Sequence, residues 1–141
     1  MSVNPLPVPS MQRLIALLLL ANFLTGCASI DERKKSVTLE TATRQYQNAI
    51  RWGDYEAANA YRLQTGEQMP NPESLKHFRV TSYETMNTEL NDDESRATIT
   101  VQIKYYDDER MTVETLTDRQ IWEYDSKLGR WFLDSPLPAF R

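Results

Sequence analysis

Between Ala97 and Tyr106 the chain alternates without a break. Ala97, Ile99, Val101, Ile103 and Tyr105 fall on one side, and Thr98, Thr100, Gln102, Lys104 and Tyr106 on the other. Strict period two over ten residues describes a strand with one face buried and one wet, as in an antiparallel sheet covered on a single side. The cover has to come from elsewhere in the chain. Leu39, Ala42, Tyr46, Ala49 and Ile50 supply it, because their spacing places them on one face of a helix. Gly53 stands where a helix ends in a left-handed residue. Asp54 is placed to cap a second short helix carrying Tyr55, Ala58 and Tyr61 on one side. Gln64–Pro72 breaks regularity, and Asn71-Pro72 reads as a cap followed by a first-turn proline, opening a third helix to about His77.

Period two governs from Arg79 onward. A weaker strand over Val80–Leu90 leads through the turn Asn91-Asp92-Asp93-Glu94-Ser95 into the clear one. Asp107-Asp108-Glu109-Arg110 turns the chain again, into a long strand over Met111–Tyr124. There the apolar parity switches, from Met111 and Val113 to Leu116, Trp122 and Tyr124, which predicts a bulge in mid-strand. Ser126–Gly129 turns into a last strand over Arg130–Asp134, stopped by Pro136 and Pro138. Helices followed by a four-stranded antiparallel meander make an α+β fold. The expected organisation is a leader over 1–26, a polar tether over 27–37, a domain over 38–135 and a C-terminal tail over 136–141.

The N-terminal region is of another kind. Leu14–Leu24 is an eleven-residue apolar run preceded by Arg13. It is too short to span a bilayer, which takes roughly 20 residues, and has the proportions of a signal-peptide core. The segment before it is proline-rich, so the initiator is either Met1 or Met11. Leu24-Thr25-Gly26-Cys27 then resembles the lipobox of bacterial lipoproteins. That resemblance implies cleavage between Gly26 and Cys27, a diacylglyceryl group on the Cys27 sulfur and acylation of the new amine. Ala28 and Ser29 follow where an aspartate would mark inner-membrane retention, so the resemblance implies an outer-membrane lipoprotein facing the periplasm. Cys27 is the only cysteine, which rules out an internal disulfide; the alternative to lipidation is a free thiol. Asp31-Glu32-Arg33-Lys34-Lys35 reads as a solvated spacer, with the basic trio able to touch headgroups.

Charge narrows the partners. Of 16 basic and 20 acidic side chains only Arg13 lies before Cys27, so cleavage leaves a chain more acidic than the −4 of the whole. An acidic domain without clustered Lys and Arg offers nothing to a polyanion, so no nucleic acid is expected. Partners are the membrane, through lipid on Cys27, and an envelope protein or a second copy of the chain.

Tyr46-x-x-Ala49-Ile50-x-x-Gly53-Asp54-Tyr55-x-x-Ala58, together with Trp122-x-Tyr124 and Gly129-Arg130-Trp131-Phe132-Leu133, resembles the nuclear transport factor two-like superfamily. The resemblance covers about residues 38–135 and implies a curved sheet wrapped around helices as a cone with a central cavity. Ala49–Tyr61 is also similar to one helix pair of a tetratricopeptide repeat, but no second copy exists to stack on it. A helix-on-sheet domain of another topology is the third alternative.

Chemistry is sparse. The superfamily includes isomerases that use a carboxylate base and a tyrosine oxyanion donor, which points to Tyr46, Tyr83 and Tyr105 with Asp118 or Glu114; packing tyrosines with wet hydroxyls are the competing reading. His77 is the only histidine, so imidazole metal sites are not expected. The acidic runs lack calcium-loop spacing. No cofactor is expected, since no glycine-rich phosphate loop is present. Tyr46, Tyr105, Tyr106, Trp122 and Trp131 stand as candidates for a cavity or interface, beside the large rings Trp52 and Phe132. Adjacent Tyr105 and Tyr106 must lie on opposite sheet faces. The leading expectation is a non-enzymatic binding or structural domain; the alternative is a small-ligand or lyase/isomerase-type domain using the cavity.

Overall fold

The computed structural model describes residues 26–63 and 71–141, with side chains from Ile30 onward except Pro72. The apolar run Leu14–Leu24 and Thr25 of the lipobox lie outside the described residues, as does the side chain of Cys27. The chain divides into two compact units, Met1–Arg33 and Lys34–Arg141. Helix α1 covers Gly26–Trp52, α2 Tyr55–Asn59 and α3 Pro72–Leu75. Strands β1 (Phe78–Leu90), β2 (Arg96–Asp107), β3 (Thr112–Asp125) and β4 (Arg130–Leu133) form one open antiparallel sheet in the order β1-β2-β3-β4. The α+β expectation holds at that level. Among the described residues no helix is long and apolar enough to cross a membrane.

Local chemistry explains the helix ends. Gly53 has φ +71, and the Gly53 and Asp54 N–H groups return to the carbonyls of Ile50 and Ala49 at 3.2 and 2.8 Å, closing the last turn of α1. The Asp54 carboxylate accepts from the Ala57 N–H at 3.0 Å and starts α2. Asn71 does the same for Glu73 at 3.1 Å ahead of Pro72.

The helical stripe and the alternating strand meet in one core. Leu39, Ala42, Tyr46, Ala49 and Ile50 are all buried, and so are Ala97, Ile99, Val101, Ile103 and Tyr105. Trp122 is fully buried between Tyr46 and Tyr61, with ring centroids at 5.5 and 6.1 Å in edge-on packing.

Four expectations need correction. The bulge predicted in β3 is absent: its pairing with β2 runs in one register from Arg96↔Glu123 to Asp107↔Thr112. Val113 is an exposed residue of the outer face, and Met111 sits in the preceding turn with φ +53, so neither marks an inward parity. The irregularities are in β1 instead, between Val80 and Ser82 and between Thr85 and Asn87. Each bulge changes the strand's parity, and that is why its alternation looked weak. Second, the segment read as a tether is helical, as part of α1. Its Lys35 belongs to the folded body: the ammonium donates to the Asp93 carbonyl at 2.9 Å and lies 5.7 Å from the Tyr124 ring centre. Third, the 136–141 segment is no loose tail. Phe140 is buried, stacked on Phe78 at 5.6 Å and edge-on to Tyr105 at 4.9 Å, with Leu137 also inside. Fourth, α3 stops at Leu75, because Phe78 already pairs with Asp107 in β1.

Candidate functional site

Two features of the unit Lys34–Arg141 stand out, one polar and closed, the other apolar and open. The polar one arises on β3, whose inward residues are Glu114, Leu116, Asp118, Gln120, Trp122 and Tyr124, opposite Tyr105, Ile103, Val101, Ile99 and Ala97 of β2. Gln120 is 1 % exposed and joins its neighbours. Its Nε2 donates to the Tyr83 hydroxyl at 2.7 Å and to Asp118 Oδ2 at 3.0 Å, and its Oε1 accepts from Trp122 Nε1 at 3.2 Å. Both ends of the amide are used, as burial of an amide requires.

Burial governs the proton affinities here. It pushes the Asp118 carboxyl above its ordinary range, against the pull of the Gln120 amide. It raises the Tyr46 hydroxyl well above the ordinary tyrosine value, helped by the charge of Asp118 and opposed by Arg62. Tyr83 is raised too, by burial first, while its Gln120 hydrogen bond acts downward. These tyrosines stay protonated at neutral pH and can only donate or accept hydrogen bonds. The Tyr46 hydroxyl, wholly buried, has no hydrogen-bond partner among the described residues.

The structure thus brings Tyr46, Tyr83 and Asp118 into one cluster and leaves the Tyr105–Glu114 pair apart. Tyr105 Oη donates to Glu114 Oε2 at 2.9 Å, and burial raises its pKa as well. Four residues along β2 separate it from Val101, the partner of Asp118, or about 13 Å. Sequence reasoning missed Gln120. Its signal was a polar residue sharing parity with Trp122 and paired with the apolar Ile99.

The open feature is a groove of about 590 Å³ between α1, the segment through α2 to Tyr61, and the start of β4. Its floor is the buried pair Ala42 and Trp131; Thr38, Thr41 and Gln45 line one side and Ala57, Ala60 and Tyr61 the other. The wall hydroxyls are committed. Thr38 Oγ1 donates to Lys34 O at 2.9 Å and Lys35 O at 3.0 Å, and Thr41 Oγ1 to Val37 O at 2.9 Å. Tyr61 Oη donates to Gln45 Oε1, linking the two walls. Trp131 Nε1 donates to the Lys35 carbonyl at 3.0 Å. What remains facing the groove is mostly methyl and ring surface, with Arg130 and Gly129 at the strand end.

The other candidates fall elsewhere. Tyr106 is half-buried on the outer sheet face and borders a second cleft, of about 600 Å³, with Trp52, Arg51 and Arg79; Trp52 is 86 % exposed. The acidic runs are hairpin turns using their own side chains. Asn91 Oδ1 accepts from the Ser95 and Arg96 N–H groups at 2.9 and 2.8 Å, and Asp93 accepts from Ser95 Oγ at 2.6 Å. At Asp107, burial acts upward, but the Glu109 and Arg110 N–H groups and the Arg110 guanidinium at 2.8 Å outweigh it and hold the carboxyl low. His77 Nδ1 lies 3.2 Å from Glu109 and 3.6 Å from Asp108. No group of three metal-ligating side chains occurs among the described residues. No protein-family model, characterised protein or solved structure matches the chain.

Proposed function

We propose that the protein is a lipid-anchored lipoprotein of the bacterial outer membrane, its α+β domain facing the periplasm in a non-enzymatic binding role. The observation that carries the location is the run Leu24-Thr25-Gly26-Cys27 at the end of an eleven-residue apolar stretch with Arg13 before it. A thioether-linked diacylglyceryl group and an acylated amine on Cys27 give more than the two chains that stable anchoring needs. The binding role is supported by the groove, which offers uncommitted apolar surface beside a core whose polar atoms are mostly satisfied internally. Under this reading the helices and sheet form the cone of the nuclear transport factor two-like superfamily, and the partner is an envelope protein, a second copy or a small molecule. The test is metabolic labelling with radioactive palmitate in a Gram-negative host, followed by membrane fractionation. Label in the outer membrane that is lost with Cys27→Ser is expected. An unlabelled, unanchored wild-type chain sinks the location.

A second reading is favoured by one observation: the charge of Asp118 acts on the buried Tyr46 hydroxyl, which has no hydrogen-bond partner among the described residues. In a lyase/isomerase-type domain Asp118 takes the proton next to a substrate carbonyl, and Tyr46 donates a hydrogen bond to the enolate oxygen. Deuterium exchange into simple ketones, followed by NMR, tests it. Exchange abolished in Asp118→Asn supports this reading, and exchange no faster than buffer removes it.

A further inference from the structure

The face of α1 turned away from the core has a composition of its own. Within the unit Lys34–Arg141, Lys34, Val37, Thr41, Arg44, Asn48 and Arg51 recur at steps of three and four, which sets them in one stripe along the helix. Trp52, four residues after Asn48, closes it. The stripe lies opposite the buried Leu39, Tyr46 and Ile50 and runs about 27 Å. All of its residues are exposed except the half-buried Thr41. Val37 and Trp52, 58 % and 86 % exposed, are the exposed large apolar residues of α1 in this unit, and both fall on this face.

The chain as a whole is acidic, at −4, yet the stripe is basic. Lys34 and Arg51 have no ion-pair partner among the described residues. Arg44 has Glu40, 3.6 Å away with both side chains exposed, and an ion pair of that kind contributes little. Glu40 is also the only carboxylate between Lys34 and Trp52. Lys35, by contrast, is turned into the fold and donates to the Asp93 carbonyl. The charge beside Trp52 has the same sign. The cleft that Trp52 and Arg51 border is lined also by Arg79, which pairs with Asp108 at 3.2 Å, and by no carboxylate among the described residues.

Basic side chains with a tryptophan at one end suit the interfacial zone of a bilayer, where cations meet anionic head groups and an indole sits between water and acyl chains. A convex helix face without a pocket favours a deformable lipid surface over a protein, whose surface has to match it in shape. We propose that the outward stripe of α1, from Lys34 to Trp52, docks the domain on an anionic phospholipid surface. This goes beyond the proposed anchor by naming a second contact, one that orients the domain, and it stands on folded residues whether or not Cys27 is acylated.

For the test, the full chain is coupled through Cys27, its only cysteine, to a maleimide phospholipid in vesicles, so that the result does not depend on acylation in the cell. Part of the phosphatidylcholine carries brominated acyl chains, which quench a nearby indole. Trp122 and Trp131 are buried, so the lipid-dependent signal belongs to Trp52, and Trp52→Phe should remove it. Quenching is expected in vesicles containing phosphatidylglycerol, with little in pure phosphatidylcholine, and about 0.5 M NaCl should reverse it. Lys34→Gln, Arg44→Gln and Arg51→Gln should each lower the ratio of docked to undocked protein about fivefold, the effect of one basic residue near a charged surface. Arg51→Lys, which keeps the charge, should dock like the wild type. Equal quenching in the two kinds of vesicle overturns the proposal, as does quenching that survives the triple glutamine variant. So does an unquenched Trp52 in phosphatidylglycerol vesicles, which would leave the stripe to an acidic protein. Palmitate label on Cys27 without quenching sinks the docking alone; quenching without label sinks the envelope location alone.

Discussion

The polar cluster and the groove invert the usual arrangement: hydrogen-bonding groups lie in the core and methyl groups line an opening to solvent. In the cluster, Gln120 satisfies Tyr83, Asp118 and Trp122 at once, so little capacity is left for a ligand beyond the Tyr46 hydroxyl. In the groove the opposite holds. Thr38, Thr41 and Gln45 have turned their oxygens to partners within the fold, and what remains needs covering. The difference separates a polar network that specifies a core from an apolar surface that can accept an occupant.

The comparison can be broken most forcefully at Trp122. It is fully buried against Tyr46 and Tyr61, and Trp122→Ala should cost about 3–5 kcal/mol in denaturant unfolding. A loss below ~1 kcal/mol would mean that the cluster is not part of the cooperative core. Gln120→Leu comes next. It leaves the Asp118 carboxyl, the Tyr83 hydroxyl and the Trp122 indole without their shared partner, and should destabilise by about 2–3 kcal/mol, from a desolvation cost of ~1–3 kcal/mol per orphaned group.

Asp118 supplies a pH signature. Its folded pKa is raised by burial, so the native state binds the proton more tightly than the unfolded chain does. Its contribution to stability is then full below the unfolded value near 3.8 and is lost as pH rises through the folded value. Asp118→Asn should therefore stabilise the protein at neutral pH and flatten the slope of stability with pH just above 4; an unchanged slope would show that the carboxyl is solvated. The smallest effects separate the two regions most finely. Tyr46→Phe removes a buried hydroxyl with no described partner and should be neutral or stabilising by up to about 1 kcal/mol, whereas Tyr83→Phe should cost about 1 kcal/mol. Thr41→Val keeps the groove's methyl surface and should shift stability by no more than ~0.5 kcal/mol.

Legibility in the sequence followed regularity. Strand β2 could be read residue by residue, because an uninterrupted register preserves alternation from Ala97 to Tyr105. Strand β1 could not, since two bulges reset its parity and its far half, from Glu84 to Leu90, is exposed on both faces. On β3 the inward set includes Glu114, Asp118 and Gln120, so polarity did not report the face, and exposed Val113 suggested a bulge that pairing with β2 does not contain. Asp118 and Tyr46 can be singled out from the sequence. Gln120, which ties the cluster together, cannot, because a glutamine becomes a core residue only when three partners converge on it.

Hydrophobic period, capping residues and the cysteine motif are local properties. The sequence by itself therefore determined the helical stripe from Leu39 to Ile50, the ends at Gly53 and Asp54, the clear strand and the expectation of an anchor at Cys27. Contacts between distant segments are not written in any one of them. Only the tertiary structure decided that Phe140 returns to stack on Phe78, that Lys35 belongs to the domain, that Gln120 joins Tyr83 to Trp122, and that Arg130 borders a groove between helices distant from it along the chain.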